Sequence, residues 1–183
     1  MTPRELDDRL TPLDIPSLWN ALLLKWETLG VEPRRRAIEL KLAHIHLETG
    51  LKSCHNYNLG NIKSLAGDGR HWQYFACGEE VAEHTLDEVL RLQANCVTVK
   101  ARYHRDASPW ASLWITPKHP WTKFAAFETL SDGVDAQLGY LRSPKHEAVL
   151  ASLQTGDPVV YNDALVAHGY YTAGKTQYLA TLQ

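Results

Sequence analysis

Glu48 is the residue best placed to do chemistry. It closes a run of apolar positions, stands two residues before Gly50, and is followed directly by a stretch rich in Asn and Gly. A carboxyl group at the end of a buried helix, beside a polar loop, suits a general acid, because apolar surroundings disfavour the carboxylate and keep its proton near neutral pH. Spacing alone does not separate that role from the solvated position most glutamates occupy. The neighbouring acids Glu79 and Glu80 are a second carboxylate group, and their alternative is a pair of solvated charges at an exposed hairpin tip. Tyr57, Asn58 and Asn61 offer polar groups that can hydrogen-bond a ligand, or can simply hold a turn.

Other chemistries are weaker. His44 and His46 lie two apart on a helix and point to different sides, so they cannot form an i, i+4 zinc pair. The nine histidines are scattered singly, and neither a metal nor a cofactor is expected. Cys54-His55 suggests a thiol nucleophile, but an activated cysteine needs a histidine brought close in space. The three cysteines cannot all pair. A Cys77–Cys96 bridge stays open for a protein working outside the cytoplasm and would stabilise by about 3 kcal/mol.

The elements that must position these groups follow from periodicity. Leu18, Leu22, Leu23 and Trp26 recur at helical spacing over 15–29, and Gly30 ends that helix. A second helix begins after Pro33 and carries two stripes, Ile38, Leu42, Ile45 and Leu40, Ala43, Leu47, which predict a largely buried helix closed by Gly50. Residues 53–69 read as a loop. Strands are predicted at 71–77 and 96–104, with a short helix at 85–92 capped by Thr85 with Glu88 three residues on. Three prolines make 107–121 extended or looped, with an edge strand at 113–115. Helical periodicity returns from Ser131 through Val134, Leu138 and Leu141, then at 148–153, and at 158–166 behind an Asp157 cap.

Composition sets bounds. The 183 residues suit one domain with a core, here with a strand-rich insert at about 65–123; 44% hydrophobic and 22% charged residues exclude a disordered chain. A net charge of -2 lacks the basic excess of a phosphate-backbone binder, so nucleic acid is not expected as a partner. Arg34, Arg35 and Arg36 read as a solvated helix start. Residues 1–14 contain no apolar run, so neither a signal peptide nor membrane insertion is expected.

Four ordered blocks carry a family resemblance. Leu47-Glu48-Thr49-Gly50, followed by Asn56-Tyr57-Asn58-Leu59-Gly60-Asn61-Ile62-Lys63, is similar to the E-[ST]-G and N-L-x-[GN]-I-K pattern of the bacterial glucosaminidase family, the flagellar and autolysin type of peptidoglycan hydrolase. Phe124-Ala125-Ala126-Phe127-Glu128-Thr129-Leu130 with Gly133 and Leu141 resembles its F-x-x-[FY]-x-[ST] segment. Gly156-Asp157-Pro158, then Gly169-Tyr170-Tyr171-Thr172 and Tyr178, resemble its closing blocks. Residues 65–123 match poorly.

The resemblance implies an α+β, mainly α, lysozyme-like fold, with a helical lobe and a small strand-rich lobe. It implies a peptidoglycan hydrolase, muramidase or N-acetylglucosaminidase, in which Glu48 is the general acid. Glu79, in Cys77-Gly78-Glu79, is the nearest match to the family's second acid and would be base or electrostatic support; Glu80 is the fallback. Tyr170 would position substrate or water, and Tyr57, Asn58, Asn61 and Trp72 would bind glycan. The expected partner is the peptidoglycan strand, met by a monomer at the periplasm or cell wall after delivery by phage, holin or a secretion system, with a delivery or immunity protein as a further partner. Three alternatives remain open: a lytic transglycosylase using Glu48 alone, a cysteine amidase or peptidase on Cys54, and a non-catalytic glycan-binding module that stacks sugars on Trp72, Tyr74, Trp110 and Trp114.

Overall fold

The computed structural model describes residues 2–170 and 175–182, apart from the side chains of 175–178. In chain order the elements are β1 (Leu10–Pro12), α1 (Ile15–Trp26), α2 (Arg35–Thr49), β2 (Ser53–His55), β3 (His71–Tyr74), β4 (Cys77–Ala82) and α3 (Glu83–Gln93). They continue with β5 (Val97–Arg105), β6 (Ser108–Ile115), β7 (Lys123–Ala126), α4 (Leu130–Arg142), α5 (Glu147–Thr155), α6 (Pro158–Ala167) and α7 (Lys175–Leu182). The fold class is α+β, with the strands in small sheets. Two compact units result: residues 1–8 with 62–126, and residues 9–61 with 127–183.

The second unit is helical. Asp14 caps α1 by accepting from Ser17 N at 2.9 Å, and Gly30, at φ 69°, ends the turn that follows it. Leu18, Leu22 and Trp26 are fully buried, whereas Leu23 is 38% exposed. One residue adds about 100° around the axis, which carries Leu23 off the stripe set by Leu18 and Leu22. α2 ends at Gly50, φ 64°, whose N–H donates to His46 O at 2.7 Å. Its core-facing side holds Ala37, Ile38, Leu40 and Ile45, joined by Val134, Leu138 and Leu141 of α4, Val149 and Leu153 of α5, and Tyr161 and Leu165 of α6. The heavy burial expected of α2 is present, but Lys41 and His44 take two of its buried positions. β1 pairs with β2 antiparallel, Thr11 opposite Cys54, so a strand opens the stretch read as a loop from Ser53.

In the first unit β3 pairs with β7, and β4, β6 and β5 form a three-stranded sheet with β6 at its centre. Leu86 and Val89 of α3 cover Val81, Ala111, Leu113 and Ile115. β6 corrects the expectation of a short edge strand at 113–115. Pro109 lies beside the turn at Asp106 and Ala107, opposite His104, and Pro117 and Pro120 fall beyond the strand's end, so the prolines bound the strand without removing an interior donor. Thr85 is not a cap. β4 runs directly into α3, which starts at Glu83 behind Ala82, leaving Thr85 inside the first turn. Cys77 and Cys96 are free thiols, as is Cys54, so the bridge is not formed. Glu79 and Glu80 sit in mid-strand opposite Leu113 and Ser112, not at a hairpin tip.

Candidate active site

In the helical unit, α2 presents Glu48 half-buried in its last turn. Thr49 closes that turn: its hydroxyl donates to Ile45 O at 2.8 Å and accepts from Leu51 N at 3.1 Å. Asn61, held at φ 49°, donates from Nδ2 to Glu48 Oε2 at 3.2 Å. One amide therefore orients the carboxyl group.

The loop that delivers Asn61 is fixed from both sides. Asn56, Tyr57 and Asn61 all have positive φ, which asparagine tolerates better than most residues. Phe127 N donates to Asn56 O at 2.9 Å, while Thr129 caps α4 by accepting from Asp132 N at 3.2 Å. The first turn of α4 comes so close that a Cβ on Gly133 would lie 2.1 Å from Tyr57 O, and one on Gly60 would lie 2.5 Å from Gln137 Oε1. Only glycine permits the approach at Gly133, where the neighbour is backbone; at Gly60 it is the end of a side chain. Asn58 is 1% exposed, so it holds the loop from within and presents no open surface to a ligand. Tyr57 is half-buried and Asn61 exposed.

Charged and aromatic groups continue behind Glu48. Lys41, two turns earlier on α2, is 1% exposed, and no hydrogen bond reaches its ammonium among the described residues. Burial pulls its pKa down to about 7, opposed by the negative charge of Glu48. His44 shares a 2.8 Å hydrogen bond with the Tyr161 hydroxyl, and burial, then the Lys41 charge, holds it well below the usual histidine range. Tyr170 meets His44 edge-on at 4.7 Å and Tyr140 at 5.1 Å between ring centroids. Its phenol is pushed well up, first by burial and then by the Glu48 charge. It is therefore a neutral hydroxyl in electrostatic contact with the candidate acid. Tyr171 and Thr172 of the same block lie outside the described residues, as does the Tyr178 side chain.

In the strand-rich unit, Glu79 is half-buried and accepts from Lys63 Nζ at 2.8 Å. Lys63 also donates to Trp121 O at 2.6 Å and lies 3.9 Å from the Phe124 ring centroid. The lysine that closes the Asn-rich block is thus the ion-pair partner of Glu79. Glu80 points to the other face of β4 and pairs with Arg105, whose guanidinium lies 4.0 Å over Trp110. Trp72, on β3, carries the Lys123 ammonium 4.4 Å from its ring centroid.

The structure therefore gathers Glu48, Asn61 and Tyr170 in one unit and places Glu79 and Trp72 in the other. Lys41 and Lys63 were not singled out from sequence. Lys63 could have been found, because it belongs to a recognised block. Lys41 carried only the signal of a lysine inside an otherwise apolar periodic stretch.

Cys54 does not have the surroundings of a nucleophile: it is 4% exposed, and burial pushes its thiol up to about 12. Reactive thiols have depressed values. No cluster of His, Cys, Asp and Glu that could hold a metal ion is present among the described residues. No helix among them is long and apolar enough to cross a membrane. No family model, no curated protein and no solved structure matches the chain.

Proposed function

We propose that this chain is a peptidoglycan hydrolase of lysozyme-like fold, a muramidase or N-acetylglucosaminidase, acting in the periplasm or at the cell wall. The observation that carries this reading is Glu48 itself: a half-buried carboxyl group at the end of the central α2 helix, with the Asn61 amide on one oxygen. In this role Glu48 protonates the glycosidic oxygen as the bond to the anomeric carbon breaks. Tyr170 stays protonated and can donate to water or substrate. Purified sacculi incubated with the chain should release soluble muropeptides, and mass spectrometry of their new ends identifies the bond cut. Sacculi that bind the chain without releasing fragments would make it a glycan-binding module.

A second reading, lytic transglycosis by Glu48 alone, draws on the Lys63 contact, because the carboxylate of Glu79 is already engaged by an ammonium. Anhydromuramic ends in place of reducing ends would select it. Kinetics separates the two as well. If Glu79 is base or electrostatic support, Glu79→Gln should lower turnover about tenfold or more, in line with general base catalysis, while Glu80→Gln leaves it nearly unchanged. Neither substitution should move the melting temperature much, since partly exposed ion pairs contribute about 0–1 kcal/mol. Equal, mild effects would leave Glu48 working with a water held by Tyr170.

A further inference from the structure

The strand-rich unit holds a cavity of about 260 Å³ that the proposed chemistry does not use, lined among others by Pro3, Leu65, Asp68, Arg70, Trp72 and Lys123. Its frame is rigid. Ser64 N donates to Lys123 O at 3.2 Å, and Trp72 lies opposite Ala125 in the β3–β7 pair. Trp72 is tied on its other side, donating to Arg4 O at 3.1 Å and accepting from Leu6 N at 2.7 Å. The loop between these ends is held by its own acid: Asp68 Oδ2 accepts from Leu65 N and Oδ1 from Arg70 N, both at 3.0 Å.

That leaves an uneven charge balance. The single carboxylate of the lining is consumed by backbone amides, and its geometry serves the loop. Lys123 rests over the Trp72 ring, and neither it nor Arg70 has an ion pair with a carboxylate among the described residues. The cavity therefore presents two cations and an aromatic wall. It has room for a group of one or two residues, less than the ~300–1,000 Å³ of typical drug-sized pockets.

We infer that this cavity is a subsite for a carboxylate-bearing segment of the substrate, Arg70 and Lys123 binding the carboxylate while Trp72 covers the attached apolar part. Resting on the peptidoglycan reading, this assigns the cavity to the acidic peptide stem of the wall polymer. A guanidinium gives a bidentate contact, and the ammonium, already held by the ring, loses little freedom on binding.

The probe is an alanyl-glutamate dipeptide, as the free acid and with its carboxylates amidated, titrated calorimetrically into the full chain carrying Glu48→Gln. The free acid should bind about tenfold or more tighter than the amide, the scale of a charge-assisted contact. Arg70→Gln and Lys123→Gln should each abolish most of that preference, and Lys123→Arg should restore it. Equal affinity for acid and amide, or a preference that survives both glutamine variants, overturns the subsite. So does binding of inorganic phosphate that excludes the dipeptide. Wild-type chain on sacculi, with and without their peptide stems, reports on the other reading. Lysis without dipeptide discrimination removes the subsite alone; discrimination with neither lysis nor binding of sacculi keeps the carboxylate subsite and removes the wall polymer as its source.

Discussion

Glu48→Gln is expected to slow the release of muropeptides from sacculi by about 10²- to 10⁴-fold, the contribution of a positioned general acid. The substitution is nearly isosteric. Glutamine keeps an oxygen that can accept from Asn61, so the 3.2 Å contact survives, and what is lost is the proton that the proposed mechanism requires of the carboxyl group. Because the side chain is half-buried at the last turn of α2, no cavity opens and the melting temperature should hardly change. Rate and stability together make the result specific: a large loss of rate in a protein of unchanged stability places the acid at Glu48, and near wild-type lysis removes it from that role. Loss of both would show that the carboxylate holds the α2 terminus together.

Lys41→Met is expected to stabilise the chain, by an amount that depends on pH in a defined direction. The folded protein binds the lysine proton with a pKa of about 7, against 10.5 for the exposed group. Between those values the unfolded chain holds the extra proton, so the wild type gains stability as the pH rises, up to about 5 kcal/mol at 1.36 kcal/mol per pH unit. Below about 7 the lysine is charged in both states and the whole penalty is present. The methionine variant has no such penalty. Denaturant midpoints of the two proteins should differ most at pH 6 to 7 and converge toward pH 10, other titrating groups cancelling in the difference. A variant less stable than wild type at pH 6.5 would show that the ammonium is satisfied in the folded state. Strongly perturbed ionisable groups gather at functional sites. A buried lysine whose charge is felt by Glu48 belongs to that pattern.

The helical unit was the more legible part of the fold. α1 and α2 were readable because hydrophobic period and terminator agree: Leu18 and Leu22 set the stripe, and the left-handed Gly30 and Gly50 end the turn after α1 and α2 itself. The Gly156-Asp157-Pro158 block was equally clear in position, and the structure gives it a purely local cause. Gly156 ends α5 at φ 75°, Asp157 accepts from Val159 N at 2.8 Å, and Pro158 opens α6. A block that marks a family resemblance can thus be a turn between two helices.

The misreadings share one origin, which is that tertiary position outweighs residue type. Proline argued against β6, yet its prolines fall at the strand's borders. Lys41 drew no attention in the sequence, yet it is inside. Asn58, read as either a ligand-binding amide or a turn residue, is 1% exposed. Glu48 could be singled out from its place in the chain, and Tyr170 only through the resemblance, whereas Lys41 and the Lys63 contact to Glu79 depend on how distant segments meet.

Because residues 62–126 interrupt the helical unit, synthesis imposes an order on its assembly. α1 and α2 leave the ribosome before α4, α5 and α6, against which Ile38, Leu40 and Ile45 are buried, have been translated. At about 5–20 residues per second the intervening stretch takes several seconds to appear. Helices this short are held mainly by packing, so for that interval the apolar stripes of α1 and α2 lack the partners that bury them. In vivo, α1 and α2 are the segments a ribosome-associated holdase would meet, and the chain's yield should fall when translation slows across 62–126.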